Sequence, residues 1–169
     1  MNRSISHFLF CILCAGLVAP TAADIGRSLY QWATGFPPVN WSITGRWFLM
    51  VLSGEPYVPG IGLAPALPHE LLAGHAAYYT ISVIFAAGYL TGLAYLGRKP
   101  SLANGLVFGL ATMSFPFLVQ MPLMGMGVFA TDTATPGLIV MRTLVHHSSF
   151  GLGLALGAQL AGSLFRRRS

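Results

Sequence analysis

From Ala73 to Leu96 the chain carries no Asp, Glu, Lys or Arg, and the same holds from Leu102 to Met121. Runs like these constrain the fold more than any other feature, because about 20 helical residues cross the hydrocarbon core of a bilayer. A third run, Phe8 to about Ala23, follows a short start holding Arg3 and His7. A fourth, Leu138 to Phe165, contains Arg142 near its beginning. Charged residues make up only 8% of the sequence, against about 25% in soluble domains, so a water-solvated coat is missing. An ordinary soluble enzyme, a disordered segment and a DNA-binding domain are excluded. The expectation is an all-α integral membrane four-helix bundle, one domain over residues 1–169. Its spans fall at about 6–23, 73–96, 102–121 and 138–165, with a long outer loop at 24–72.

The first run also fits a cleavable signal peptide, since a basic start, an apolar core and the small residues Thr21-Ala22-Ala23 precede Asp24. Length alone does not separate the two readings. The net charge of +5 is a topology signal rather than a nucleic-acid one. Its basic residues flank apolar runs and form no stripe interleaved with aromatics. Arg3, the link Gly97-Arg98-Lys99-Pro100-Ser101 and the tail Arg166-Arg167-Arg168 hold no acid. Asp24, Glu55, Glu70 and Asp132 all fall in the alternate segments, with Arg27 and Arg46. The positive-inside rule then places both termini in the cytoplasm.

Three glycine pairs, Gly88/Gly92, Gly105/Gly109 and Gly153/Gly157, put a small-xxx-small motif on each of three spans. Where lipid gives helices little hydrophobic reason to associate, glycine lets backbones approach closely. Pro100 suits the first turn of the third span, and Pro116 inside that span removes a backbone bond and kinks it. In the outer loop, Asn40 opens the aromatic-rich stretch Trp41 to Leu52 with a cap residue. That stretch is too short to span and reads as an interfacial or re-entrant helix. Residues 55–68, with Pro56, Pro59, Pro65 and Pro68, are expected to be irregular and to lie outside the membrane or over the bundle mouth.

Ionisable residues near the spans concentrate toward the outer side. Charges at membrane depth are costly and normally face a partner or a cavity. Arg142, His146, Ser149, Gly153 and Gly157 follow helical spacing along one face, which turns Arg142 and His146 toward the bundle. The expected binding cluster is Asp24, His75, Arg142, His146 and His147, with Arg46 of the outer loop added, and Asp24 is the expected counter-ion of Arg142. The simpler alternative has Arg142 snorkelling to headgroups and the histidines bonded to backbone carbonyls.

Met121, Met124 and Met126 beside imidazoles suit soft copper(I), though thioethers at a helix end also serve as plain apolar filler. His75 and His147, on neighbouring spans, are the candidate haem ligands. Neither cofactor is required by the sequence. Cys11 and Cys14 sit inside an apolar run and read as packing, and two cysteines make no disulfide framework. Ser148 and Ser149 follow His146-His147 without a nucleophile elbow, and there is neither a phosphate loop nor a dinucleotide fingerprint.

In order along about residues 20–160, several uncommon motifs recur together: Asn40-Trp41, Gly45-Arg46-Trp47, Gly74-His75, Phe85-Ala86, Pro122-Leu123-Met124-Gly125-Met126-Gly127, Thr135-Pro136 and His147-Ser148-Ser149-Phe150-Gly151-Leu152-Gly153-Leu154. On these the chain resembles the DUF2938 family of bacterial inner-membrane proteins, a domain of unknown function. The resemblance implies four spans and an acid near the end of the first helix, matched by Asp24, which weighs against cleavage there. Two positions depart from the family pattern. Ala76 rather than Tyr follows His75, and Met121 separates Gln120 from Pro122. The resemblance supplies no activity. The leading expectation is a protein that binds or helps transport a small solute, ion or lipid headgroup at an outward-facing polar cluster. A membrane redox or lipid-modifying enzyme and a structural or assembly protein are the alternatives. The expected partners are the bilayer and a second copy or another membrane protein, and not nucleic acid.

Overall fold

Residues 3–166 are described by the structure, a computed structural model; Arg167 and Arg168 of the basic tail lie outside them. Helix α1 covers Arg3–Thr34, α2 Trp41–Leu52, α3 Glu70–Tyr95 and α4 Leu102–Thr112. A π-helical turn over Pro116–Gln120 leads into the short α5, Met121–Leu123. A 3₁₀ turn at Val128–Ala130 precedes α6, Pro136–Arg166. The described residues form no strand.

Three helical segments are long and apolar enough to cross a membrane: Ile5–Thr34, Glu70–Tyr95 and Leu102–Leu123. The fourth expected span, α6, is long enough at 31 residues but does not join them among the described residues, where its polar residues lower the hydropathy. Arg142, His146, His147 and Gln159 lie on a helix flanked by α1 and α4, where they meet protein. The first span is also longer than expected, since α1 runs on to Thr34 rather than stopping near Ala23.

The helices pack antiparallel in the order α4, α6, α1, α3, with α2 laid against the outside of α3. Glycine builds the α6 contacts as expected. A Cβ at Gly153 would stand 2.8 Å from Ala19 Cα, and one at Gly157 2.8 Å from Ala15 Cα, both on α1. On the α4 side, a Cβ at Gly109 would stand 2.8 Å from Gly151 Cα. The Gly88/Gly92 pair departs from expectation: a Cβ at Gly88 would reach only Phe108, at 3.8 Å, and one at Gly92 nothing within 4 Å. Helices α3 and α4 are bridged instead by rings, with Phe85 and Tyr89 against Phe108 at centroid separations of 6.5 and 5.4 Å.

Local chemistry sets the breaks. Pro20, buried inside α1, has no N–H to give the Gly16 carbonyl. Ser82 on α3 supplies the missing donor, its hydroxyl 2.7 Å from Gly16 O. At the other break, the segment containing Pro116 is interrupted as expected, with α4 ending at Thr112 and a π-helical turn starting at Pro116. Ser101 and Asn104 form the capping box of α4, so Pro100 stands before the cap rather than in the first turn.

Candidate functional site

Asn40 caps α2 as its sequence suggested, its side chain accepting from the Ser42 and Ile43 amides at 3.0 and 3.4 Å. The α2–α3 crossing is tight because Gly45 lies on the Glu70 carbonyl and Gly74 on the Trp41 carbonyl. Arg46 then reaches Glu70 with a two-pronged ion pair, Nε to Oε2 at 2.7 Å and Nη2 to Oε1 at 3.1 Å. Its Nη1 donates to the Ile61 carbonyl at 3.1 Å and to that of Ala64. The Glu70 hydrogen bond holds the Arg46 guanidinium above its ordinary range. Trp47 adds an indole N–H to the Pro56 carbonyl at 2.9 Å. Arg46 is therefore a clip that folds residues 55–68 onto α2, and it stands apart from the polar cluster expected to include it.

This anchoring fixes the α2 ring Trp41 against Tyr78 on α3, with centroids 4.5 Å apart. Tyr78 in turn lies 5.7 Å from the His146 ring, which lies 5.2 Å from His147. His75 is exposed and packs on the other side of this chain of rings, 5.6 Å from Trp41. It lines neither cavity described below, so His75 and His147 are not brought to one haem-binding position.

Asp24 pairs with Arg27 at 2.9 Å on the same helix, not with Arg142. The Tyr78 hydroxyl is shared between Asp24 Oδ1 at 3.3 Å and the Pro20 carbonyl at 3.2 Å. The Arg142 guanidinium donates to the Pro37 carbonyl at 3.2 Å and lies 5.0 Å from the Phe36 ring centroid. Among the described residues the ion pairs are Arg27–Asp24 and Arg46–Glu70, so Arg142 has no carboxylate. One accepted proton leaves most of its five N–H donors uncommitted.

Two adjoining cavities meet at the histidines. The inner one, about 120 Å³, is walled by rings including Phe85, Phe115 and Phe150 and floored by Ile81 and Ser82. The outer one, about 370 Å³, is bordered by Arg27, Asn40 and Arg142. Trp41, Thr44, Pro116, Gln120, His146 and His147 line both. The inner chamber lies between α2, α3, α6 and the segment around Pro116. A 150 Å³ apolar cavity can hold a benzene ring, so the inner chamber suits a group of about that size.

Met121, Met124 and Met126 also line the outer cavity. Met121 packs with Phe117, Ala130 and Ile139, and Met124 with Trp47 and Ile61, which is how thioethers fill an irregular core. Among the described residues no three His, Cys, Asp or Glu gather to hold a metal ion.

Sequence reasoning passed over Arg27, Tyr78 and Thr112. The Asp24–Arg27 spacing is that of a helical ion pair, a signal hidden by ending the first helix at Ala23. Thr112 stands four residues before Pro116, where a helix loses its regular bonding and a hydroxyl gains a task.

A family described as "Protein of unknown function (DUF2938)" matches residues 13–161. No curated protein and no solved structure matches the chain.

Proposed function

The chain belongs to the DUF2938 family, and from that premise we propose that it is a four-span protein of a bacterial inner membrane that binds a small anionic solute. The solute carries an apolar group of about ring size. α6 is the fourth span, its polar residues shielded between α1 and α4. Both termini face the cytoplasm, and the paired cavities open outward. The bundle serves as a binding or transport component for this solute.

The observation that carries this reading is Arg142, a guanidinium without a carboxylate at the border of a cavity whose inner end is aromatic. Arg27 adds no net attraction because Asp24 neutralises it. An anion at the outer end gains charge-assisted bonds from Arg142, while the ring leaves water for the inner chamber.

Binding of 4-fluorobenzoate to the detergent-purified protein, followed by ¹⁹F NMR, tests the proposal. Saturable binding is expected, about tenfold weaker in Arg142→Gln, as fits the loss of a charge-assisted bond. A Thr44→Trp variant, which adds bulk at a residue lining both chambers, is expected to abolish it. A folded wild-type protein without saturable binding, or equal affinity in Arg142→Gln, overturns the proposal.

A further inference from the structure

Arg142 and the aromatic walls account for an acid group and a ring, yet leave His147 without a task. Its protonation state follows from hydrogen bonds at the end of α4. The Met113 amide, which would continue the helix by bonding Gly109 O, turns to the Leu110 carbonyl at 3.1 Å. Gly109 O is thereby left for the Thr112 hydroxyl, 2.6 Å away.

A hydroxyl has one proton. With that proton committed to Gly109 O, the 2.8 Å contact between Thr112 Oγ and His147 Nδ1 must have Nδ1–H as the donor. Reversing the contact would send the Thr112 proton to His147 and leave two bare oxygens facing each other at 2.6 Å. The neutral imidazole therefore keeps its proton on Nδ1 and offers Nε2 as an acceptor only. His147 lines both chambers, and its contact with Thr112 occupies Nδ1 rather than Nε2. The neighbouring His146 Nδ1 is buried and without a hydrogen bond. Arg142, Arg27, Asn40 and Gln120 bring donors to the same walls. His147 is the acceptor fixed among them.

We infer that the solute is a hydroxylated aromatic acid, whose O–H donates to His147 Nε2 while its carboxylate meets Arg142. This rests on the anion-and-ring site proposed above and specifies its ligand class. A site built around a polar atom rejects an analogue lacking the matching group, because that atom is then left buried and unpaired. Thr112 is a positioning residue: it touches no ligand and sets which nitrogen of His147 is bare.

Competition between isosteric acids separates the two claims. The affinities of 3- and 4-hydroxybenzoate are measured by displacement of the matching fluorobenzoate from wild type, Thr112→Val and Thr112→Ser. In wild type at least one hydroxy acid is expected to bind about fivefold tighter than its fluoro counterpart, the return from one net hydrogen bond. Thr112→Ser keeps that preference. Thr112→Val erases it, because Nδ1–H loses its acceptor, while fluorobenzoate affinity changes less than twofold. If fluorobenzoates bind saturably but hydroxy acids gain nothing, the hydroxyl inference fails and the anion-and-ring site stands. A preference that survives Thr112→Val overturns the role of the His147 tautomer. If neither acid series binds the folded protein, both claims fall.

Discussion

Pro20 shows how one residue propagates into packing. It removes a donor from α1, the freed Gly16 carbonyl is met by Ser82, and the absent side chain of Gly16 lets the Val83 backbone come within 3.0 Å of a Cβ placed there. Ser82→Ala should destabilise the protein by about 1 kcal/mol, since a buried carbonyl loses its partner and interhelical bonds in lipid are worth about that much. The cost should shrink in a Pro20→Ala background, where the helix regains its own N–H. Reversible unfolding in mixed micelles gives the double-mutant cycle, and additive costs would contradict the coupling. The same scale explains the pairing of Asp24. The sequence alone pairs it with Arg142, because an unpaired Arg at membrane depth is costly, and the continuation of α1 to Thr34 makes Arg27 the partner instead.

At the scale of elements, glycine acts where it meets backbone. Gly153→Ala should cost about 1–3 kcal/mol, since its Cβ would press on the Ala19 backbone and overpacking carries that order of penalty. Gly92→Ala should be neutral or stabilising by up to about 1 kcal/mol, because its side is open and alanine is the better helix former. Equal effects at the two sites would refute the packing order. The spacing motif was visible for all three glycine pairs, but spacing says nothing about which helix lies opposite. Opposite Gly88 lies the edge of Phe108, so a ring rather than a backbone meets that glycine. In the outer loop, Glu70→Gln should loosen the hold of Arg46 on residues 55–68 and make the region around the exposed Tyr57 more susceptible to limited proteolysis. Cleavage there should rise several-fold while the α1–α6 core stays resistant. An unchanged digestion pattern would show that the clip does not hold the loop.

Over the whole molecule, the helical class, three of the apolar segments, the α2 cap and the break near Pro116 were legible because each follows from local composition. α6 was legible in length but not in context, since its polar residues are tolerable only beside α1 and α4. The cavity pair was not legible, because its walls come from segments far apart in sequence, α2, α3, the Pro116 break and α6. The proposed topology predicts opposite labelling at two exposed positions in a Cys11→Ala, Cys14→Ser background. A membrane-impermeant thiol reagent applied to intact cells with a permeabilised outer membrane should modify Tyr57→Cys and spare Lys99→Cys. The reverse pattern would invert the bundle.

The central claim is that one small anionic ring compound sits with its charge at Arg142 and its ring among the inner aromatics. ¹⁹F–¹H Overhauser contacts from bound 4-fluorobenzoate test it directly. The account predicts contacts between the fluorine and ring protons of Phe85 or Phe150. Contacts confined to detergent, or to the exposed Trp32, would contradict it.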